Sequence, residues 1–293
     1  MPVWDSVASA ISDATQRPFT VSRTSSVGGG SINEAYRLEG DDGTRYFVKL
    51  NAARHLAMFV AEVEGLKAIA STHTIHAPLP VTYGKSGGKS FLVLQHLELG
   101  SHGNAKLFGE QLAALHRCIA KRFGFDQDNY IGTTLQPNGW KESWIDFWRE
   151  HRLGFQLKLA ADNGYGGELQ RLGEKLITVL PAFFASYLPQ PSLLHGDLWG
   201  GNHTYLMDGT PTIFDPAAYY GDRECDLAMT ELFGGYAGDF YAAYRDTYPL
   251  DEGYAVRKNL YNLYHILNHA NLFGGGYARQ AEGMMQRLLA EVA

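Results

Sequence analysis

The sequence predicts an α+β chain in two lobes: a small antiparallel sheet with one helix over residues 1–98, then a larger, mainly helical lobe over residues 99–293. Three observations carry that expectation. Strand-like runs separated by a glycine loop and a tight turn fill the first lobe. From Asn104 onward the apolar spacing changes to that of helices. The chain of 293 residues is long for a single core, and with 45% hydrophobic and only 19% charged residues it is too apolar to be disordered.

The elements follow in order. After an amphipathic start, RPFTVSRTSSV leads into GGGSIN, then EAYRLEG, the turn DDG and TRYFVKL, a strand, glycine loop, strand, turn, strand unit. HLAMFVAEVEGLKAIAS sets Leu56, Phe59, Val63 and Leu66 at helical spacing, and APLPVTYG and KSFLVLQHL add further strand. LELGSHGN is the expected connection between lobes. The helices after it are KLFGEQLAALHRCIA, WKESWIDFWREHRLGFQLKLA, ELQRLGEKLITVLPAFFASYL, YAVRKNLYNLYHILNHANLF and ARQAEGMMQRLLAEV. No internal repeat or low-complexity linker interrupts them.

Composition narrows the partners. A formal charge of −6 without a Lys/Arg block speaks against nucleic acid. The start MPVWDSVASAISDA lacks a basic stretch followed by an apolar run, and no run of eighteen uncharged apolar residues occurs, so no signal peptide or membrane segment is expected. Cys118 and Cys225 lie in helix-like contexts without metal-type spacing and are expected to be buried free thiols, as in a reducing cytoplasm.

Gly28, Gly29 and Gly30 stand between two strands, where they serve either as a flexible turn or as a loop whose backbone N–H groups approach phosphates. Lys49, in the apolar strand YFVKL one hairpin later, either snorkels to solvent or needs an anionic partner. Two glutamates compete for it. Glu62 shares its helix face with Met58, Phe59 and Leu66, the side turned to the sheet, whereas Glu64 lies with Ala57, Lys67 and Ala68, so Glu62 is the better partner.

The strongest signal is LLHGDLWGGN at residues 193–202, followed thirteen positions later by Asp215 in IFDPA. Asp197 and Asn202 are five apart, the spacing of the base and metal ligand in the H-R-D-x-x-x-x-N loop of kinases. An Asp after a strand can accept a proton from a substrate hydroxyl, and an Asn five residues on can reach a nucleotide-bound metal. Asp215 offers the carboxylate oxygen that a hard cation such as Mg²⁺ prefers. His195 is expected to brace the loop through hydrogen bonds. The bland alternative for this stretch is a Gly, Asp and Asn-rich turn capping a hairpin.

LLHGDLWGGN, the following FDPAAYYGDRECDLAMTELFGG, and the GGGSINEAY and FVK segments closely resemble the fructosamine kinase, or ketosamine 3-kinase, family, within the protein-kinase-like superfamily of aminoglycoside and choline kinases. The resemblance runs from about Val21 nearly to the C-terminus, and Trp after HGDL and YYGDRE then DLA with FGG behind it are its distinguishing marks. It implies a kinase-like bilobed fold, ATP with Mg²⁺, and phosphorylation of the third-carbon hydroxyl of a ketosamine, free or on a glycated protein, leading to deglycation. By matching positions it implies Asp197 as proton acceptor, Asn202 and Asp215 as metal ligands, Lys49 as the phosphate-binding lysine with Glu62 as its partner, and Gly28, Gly29, Gly30 and Ser31 as the phosphate loop. The backbone of Gln95, His96 and Leu97 would meet adenine.

Departures inform too. Many family members carry Cys where this chain has Ser31, so thiol control of the loop is not expected. Asp215 opens D-P-A, and only eleven positions separate it from Asp226, which leaves no room for an activation segment. Trp199 takes the place of a lysine in protein kinases and is either a wall for the sugar or amine or a packed core aromatic. Glu224 and His265 are candidate substrate contacts; Asp226 is either another or a cap for backbone N–H groups, and Tyr219 and Tyr220 are undecided. His265 and His269, four apart, have no third ligand for zinc and are expected to pack on one face, where they could line the substrate pocket. The rivals are a kinase for an aminoglycoside, choline or other amino alcohol, and a nucleotide-binding pseudokinase.

Overall fold

A computed structural model describes residues 3–28 and 32–293. The chain divides into two compact units, Met1–Asn104 with Thr204–Asp215, and Ala105–His203 with Pro216–Ala293. The first unit is therefore discontinuous in sequence and ends on Asp215, which a single cut between residues 98 and 99 does not capture.

In the first unit, β1 (Val21–Val27), β2 (Glu34–Gly40), β3 (Arg45–Ala52), β4 (Pro80–Ser86) and β5 (Lys89–Gln95) form an antiparallel sheet in the order β1-β2-β3-β5-β4. The DDG turn closes β2 on β3: Gly43 takes φ +79°, and Asp42 Oδ1 accepts the Thr44 N–H at 2.9 Å. β5 is buried on both faces, and its period of two separates them. Phe91 and Val93 face Leu50 and Val48 across the ladder and pack with Val7 and Ile11 of α1 (Val3–Thr15), four residues apart on one helix stripe. Lys49 pairs with Leu92 and so projects from the opposite face, the side on which Glu62 of α2 (Leu56–Ser71) meets it. Phe59, Val63 and Leu66 of α2 are buried as the helical spacing predicted. The returning segment pairs Tyr205 and Leu206 with Gly100 and Leu99, and His76 O accepts the Ile213 N–H at 3.0 Å.

The second unit is helical around one large core. α3 (Ala105–His116) packs on α8 (Gly238–Thr247), and α9 (Tyr254–Phe273) contacts α5 (Gly154–Asp162), α7 (Glu224–Leu232) and α10 (Tyr277–Glu291). The stretch expected as one helix from Trp140 is instead α4 (Trp144–Trp148), a π turn at Arg149–Leu153, and α5. Gly154 explains the widened turn: its N–H reaches the Arg149 carbonyl, and a Cβ there would come within 2.4 Å of that oxygen. α6 (Glu168–Val179) gives way to a 3-10 turn at Leu180–Phe184 that carries Pro181, which cannot donate to a continuing α-helix. Helix α8 was not foreseen; only Phe240, Ala243 and Tyr244 of its ten residues are buried, too short a stripe to announce itself. No helix among the described residues is long and apolar enough to cross a membrane.

Candidate active site

Lys49, in the first unit, is 5% exposed, so its ammonium needs compensation. Glu62 Oε1 accepts from Nζ at 2.6 Å, and Asp215 Oδ1 accepts from the same nitrogen. Glu64 instead pairs with Lys67 at 2.9 Å, as the helix faces predicted. Burial alone would push the Lys49 ammonium down, but the charges of Asp215 and Glu62 outweigh it and hold the group above the ordinary lysine range. Burial pushes Glu62 up, with the Asp215 charge adding to it and Lys49 opposing. Asp215 is a non-glycine residue at φ +59°, a left-handed conformation that L residues rarely adopt and that clusters at functional sites.

The β5 ladder ends at Gln95, whose N–H bonds Leu79 O at 2.9 Å, so the main chain of His96 and Leu97 lies beyond the sheet. Burial lowers the His96 imidazole pKa. Gly28 is exposed; Gly29, Gly30 and Ser31 lie outside the described residues.

In the second unit, the buried strand Ser192–Leu194 delivers His195, Gly196 and Asp197. Gly196 sits at φ +82°, and a Cβ there would come within 2.1 Å of Ala217 O, so only glycine fits the turn. Asp226 sets the loop's path. Its carboxylate accepts the N–H of His195 at 2.7 Å and of Gly196 at 2.8 Å, and meets His116 Nε2 at 3.1 Å. Burial would raise the Asp226 pKa, but His116, His195 and the backbone donors hold it below the ordinary aspartate value. Asp226 thus caps backbone N–H groups, those of the Asp197 loop.

His195 is fully buried, and its Nδ1 accepts the Asp197 N–H at 3.2 Å. Asn202 Nδ2 donates to Asp197 O at 2.8 Å and to Asp197 Oδ2 at 3.1 Å, which leaves its side-chain oxygen as the atom suited to a cation. His116 escaped the sequence reading. Its signal was a histidine on an apolar helix face beside Leu112 and Leu115, where a polar ring must find partners; Tyr244 OH takes the other nitrogen at 2.8 Å.

The candidate substrate contacts separate. Trp199 is 40% exposed and meets Phe233 edge-on at 6.4 Å, so it is no core aromatic. Glu224 is fully buried, and Arg257 Nε and a terminal nitrogen donate to it at 2.8 and 3.0 Å; the structure gives it a framework ion pair. His265 is buried and neutral, its pKa pushed down to about 3 by desolvation and then by His269. Its carbonyl accepts from His269 Nδ1 at 2.7 Å, and no group of three or more His, Cys, Asp or Glu among the described residues could hold a metal. Tyr219 is buried, stacked with Phe147 and under the Arg152 guanidinium; Tyr220 stacks with Trp140. Both cysteines are free, Cys225 buried but Cys118 only half-buried.

Comparison with known proteins fits this geometry. The fructosamine kinase profile matches residues 3–291. A Synechocystis protein provisionally named a ketoamine kinase is 48% identical over 294 residues, covering 98% of this chain and 97% of its own. The chloroplastic protein-ribulosamine 3-kinase of Arabidopsis thaliana is 41% identical over 273 residues, 92% of this chain and 83% of its own. A solved structure from Haemophilus somnus 129PT, described as a candidate fructosamine-3-kinase, superposes with TM-score 0.88 at 31% identity, covering 98% and 97% of the two chains. Amicoumacin kinase, at 15% identity and TM-score 0.58 over 93% and 90%, shares the fold alone. A match along nearly its whole length, with the Asp197 loop and the Lys49 pair in the order the sequence motifs gave, means that this chain belongs to the fructosamine kinase family.

Proposed function

We propose that the protein transfers the γ-phosphoryl group of ATP to the third-carbon hydroxyl of a ketosamine of the fructosamine or ribulosamine type, free or as an adduct on a protein. The observation that carries this is the Asp197 loop, clamped from behind by Asp226 and cross-tied by Asn202, with an exposed indole two residues beyond the carboxylate. Such a loop holds a base and a flat apolar wall together on a rigid support.

In this reading the substrate oxygen attacks the γ-phosphorus, the bond to the bridging oxygen of ADP breaks, and Asp197 accepts the hydroxyl proton. Lys49 has three N–H donors, of which Glu62 and Asp215 take two, leaving one for a nucleotide phosphate. A divalent cation such as Mg²⁺ would neutralise phosphate charge. Asn202, through its amide oxygen, and Asp215, through its carboxylate, are hard oxygen donors of the right kind. Two free cysteines suit a reducing, cytoplasmic setting.

The product provides the test. With the amine on the first carbon and the carbonyl on the second, loss of a first-carbon proton gives an enaminol that expels phosphate from the third carbon. Hydrolysis of the resulting imine frees the amine. Incubation with ATP, Mg²⁺ and a ribulosamine should place phosphorus on the third carbon by phosphorus-coupled NMR, followed by release of amine and inorganic phosphate. Phosphate on another carbon, or transfer only to choline or an aminoglycoside, would overturn the substrate; ATP binding without transfer to anything would favour the pseudokinase.

A further inference from the structure

A line of aromatic rings runs outward from the Asp197 loop, and nothing in the transfer step uses most of it. Trp199 belongs to the loop itself: its N–H donates to Asp197 O at 3.2 Å and its carbonyl accepts the Asn202 N–H at 2.9 Å. The indole lies over Gly201, where a Cβ would come within 2.4 Å of the ring, so the glycine fixes its direction. Phe233 follows at 6.4 Å, His269 at 5.2 Å from Phe233, and Phe273 at 5.5 Å from His269. The rungs come from the catalytic loop, the end of α7 and the end of α9, and all lie in the second unit. Phe233 and Phe273 each stand just before two glycines with positive φ, Gly234 and Gly235, and Gly274 and Gly275, so each helix stops where its aromatic is presented.

These rings are open to solvent. Trp199 is 40%, Phe233 40% and Phe273 65% exposed, a contiguous aromatic surface of the kind that marks a binding site. Among the described residues no arginine or lysine lies over any of the three, although cations cover Tyr187, Tyr219 and Tyr248 elsewhere in the same unit. No protein cation thus competes for these exposed rings, and the Asp197 carboxylate at one end of the line favours positive charge.

We propose that Trp199, Phe233, His269 and Phe273 form a track for the amine-side substituent of the ketosamine, with the ammonium nitrogen over the Trp199 face and its hydrocarbon chain running toward Phe273. The enzyme then selects adducts of long-chain or aromatic amines, among them a lysine side chain, over adducts of short amines. This inference rests on the ketosamine kinase reading and adds the amine class to it.

The test is a series of ribulosamines made from methylamine, butylamine and phenethylamine. Turnover of any of them with phosphate on the third carbon establishes the kinase reading; the track is judged by the ratio of kcat/KM between the longest and shortest adducts. The wild type should favour phenethylamine, whose ring reaches the next rung, and Phe233→Ser should reduce that ratio roughly three- to tenfold through KM, the size of one aromatic contact. Leu188→Ser, an equally apolar change at a residue 82% exposed outside the line, should keep the wild-type ratio. A flat series in the wild type, or a Phe233→Ser ratio equal to that of the wild type, overturns the track while the kinase reading stands; no turnover of any adduct overturns both.

Discussion

Lys49 in the first unit is fixed through its side chain, by Glu62 at 2.6 Å and by Asp215, whereas the Asp197 loop in the second is fixed through its main chain, by Asp226 on the N–H groups of His195 and Gly196. The first arrangement is an ion network whose outer carboxylate, Asp215, keeps a 44% exposed side chain and can change partners. The second buries its anchor completely and leaves the working residue half-exposed. For the roles proposed, charge pairing suits a lysine that would exchange a carboxylate for a phosphate, and backbone clamping suits a base that must not move. Perturbing one should therefore change nucleotide affinity, and perturbing the other should change turnover or the fold.

The widest separation should come from Asp197→Asn. With Asp197 as the proposed proton acceptor, its loss should cut turnover roughly 10²- to 10⁴-fold while nucleotide affinity persists. Near-normal turnover in a folded variant would show that Asp197 is not the proton acceptor.

Asp226→Asn attacks the clamp instead. One carboxylate oxygen becomes an NH₂ facing an N–H donor, and the negative charge beside His116 is lost, so stability should fall by about 3 kcal/mol with turnover falling alongside. The pH dependence has a definite sign. The folded-state pKa of Asp226 lies below its ordinary value, so its contribution is present above the ordinary aspartate range and is lost as pH falls through the lower, folded value. Urea denaturation should show the wild type and variant far apart at neutral pH and converging in acid. A gap that widens toward acid would contradict the charged clamp.

Glu62→Gln tests the first unit. Lys49 keeps Asp215 and a neutral acceptor, so KM for ATP should rise by the equivalent of about 1–2 kcal/mol, with kcat changing less. A loss confined to kcat would mean that the pair acts on the chemical step and would remove the contrast between the two units.

What the sequence disclosed follows the same divide. The choice of Glu62 over Glu64 was legible because it depends on neighbours three and four residues away on one helix, and the antiparallel sheet was legible from strands joined by tight turns. Asp226 was visible as a possible cap, but the groups it caps lie 30 and 31 positions back, and His116 lies 110 positions away. Such separations leave no periodic trace. The π turn at Arg149–Leu153 was hidden too, because the apolar pattern on either side continues through it. Glu224 looked like a site residue in the motif; only its partner Arg257, 33 positions on, marks it as framework.

The smallest effect is expected at Gly28, and it sharpens the comparison because the same substitution at Gly196 should be ruinous. Gly196 has φ +82° and would drive a Cβ to within 2.1 Å of the Ala217 carbonyl, which is backbone and cannot step aside. Gly28 has no such φ, and a Cβ there would meet nothing within 4 Å. The unfolded chain of Gly28→Ala has less freedom to lose, which favours the variant slightly. Gly28→Ala should therefore match the wild type within about 0.5 kcal/mol in denaturant. Any rise in its KM for ATP then reports contact between that position and the nucleotide, since no folding defect is available to explain it. Gly196→Ala should lose soluble folded protein or most of its turnover. Should Gly28→Ala unfold as readily as Gly196→Ala, the glycine loop would be a structural turn as tightly built as the catalytic one, and the open approach to phosphate proposed for it would have no basis.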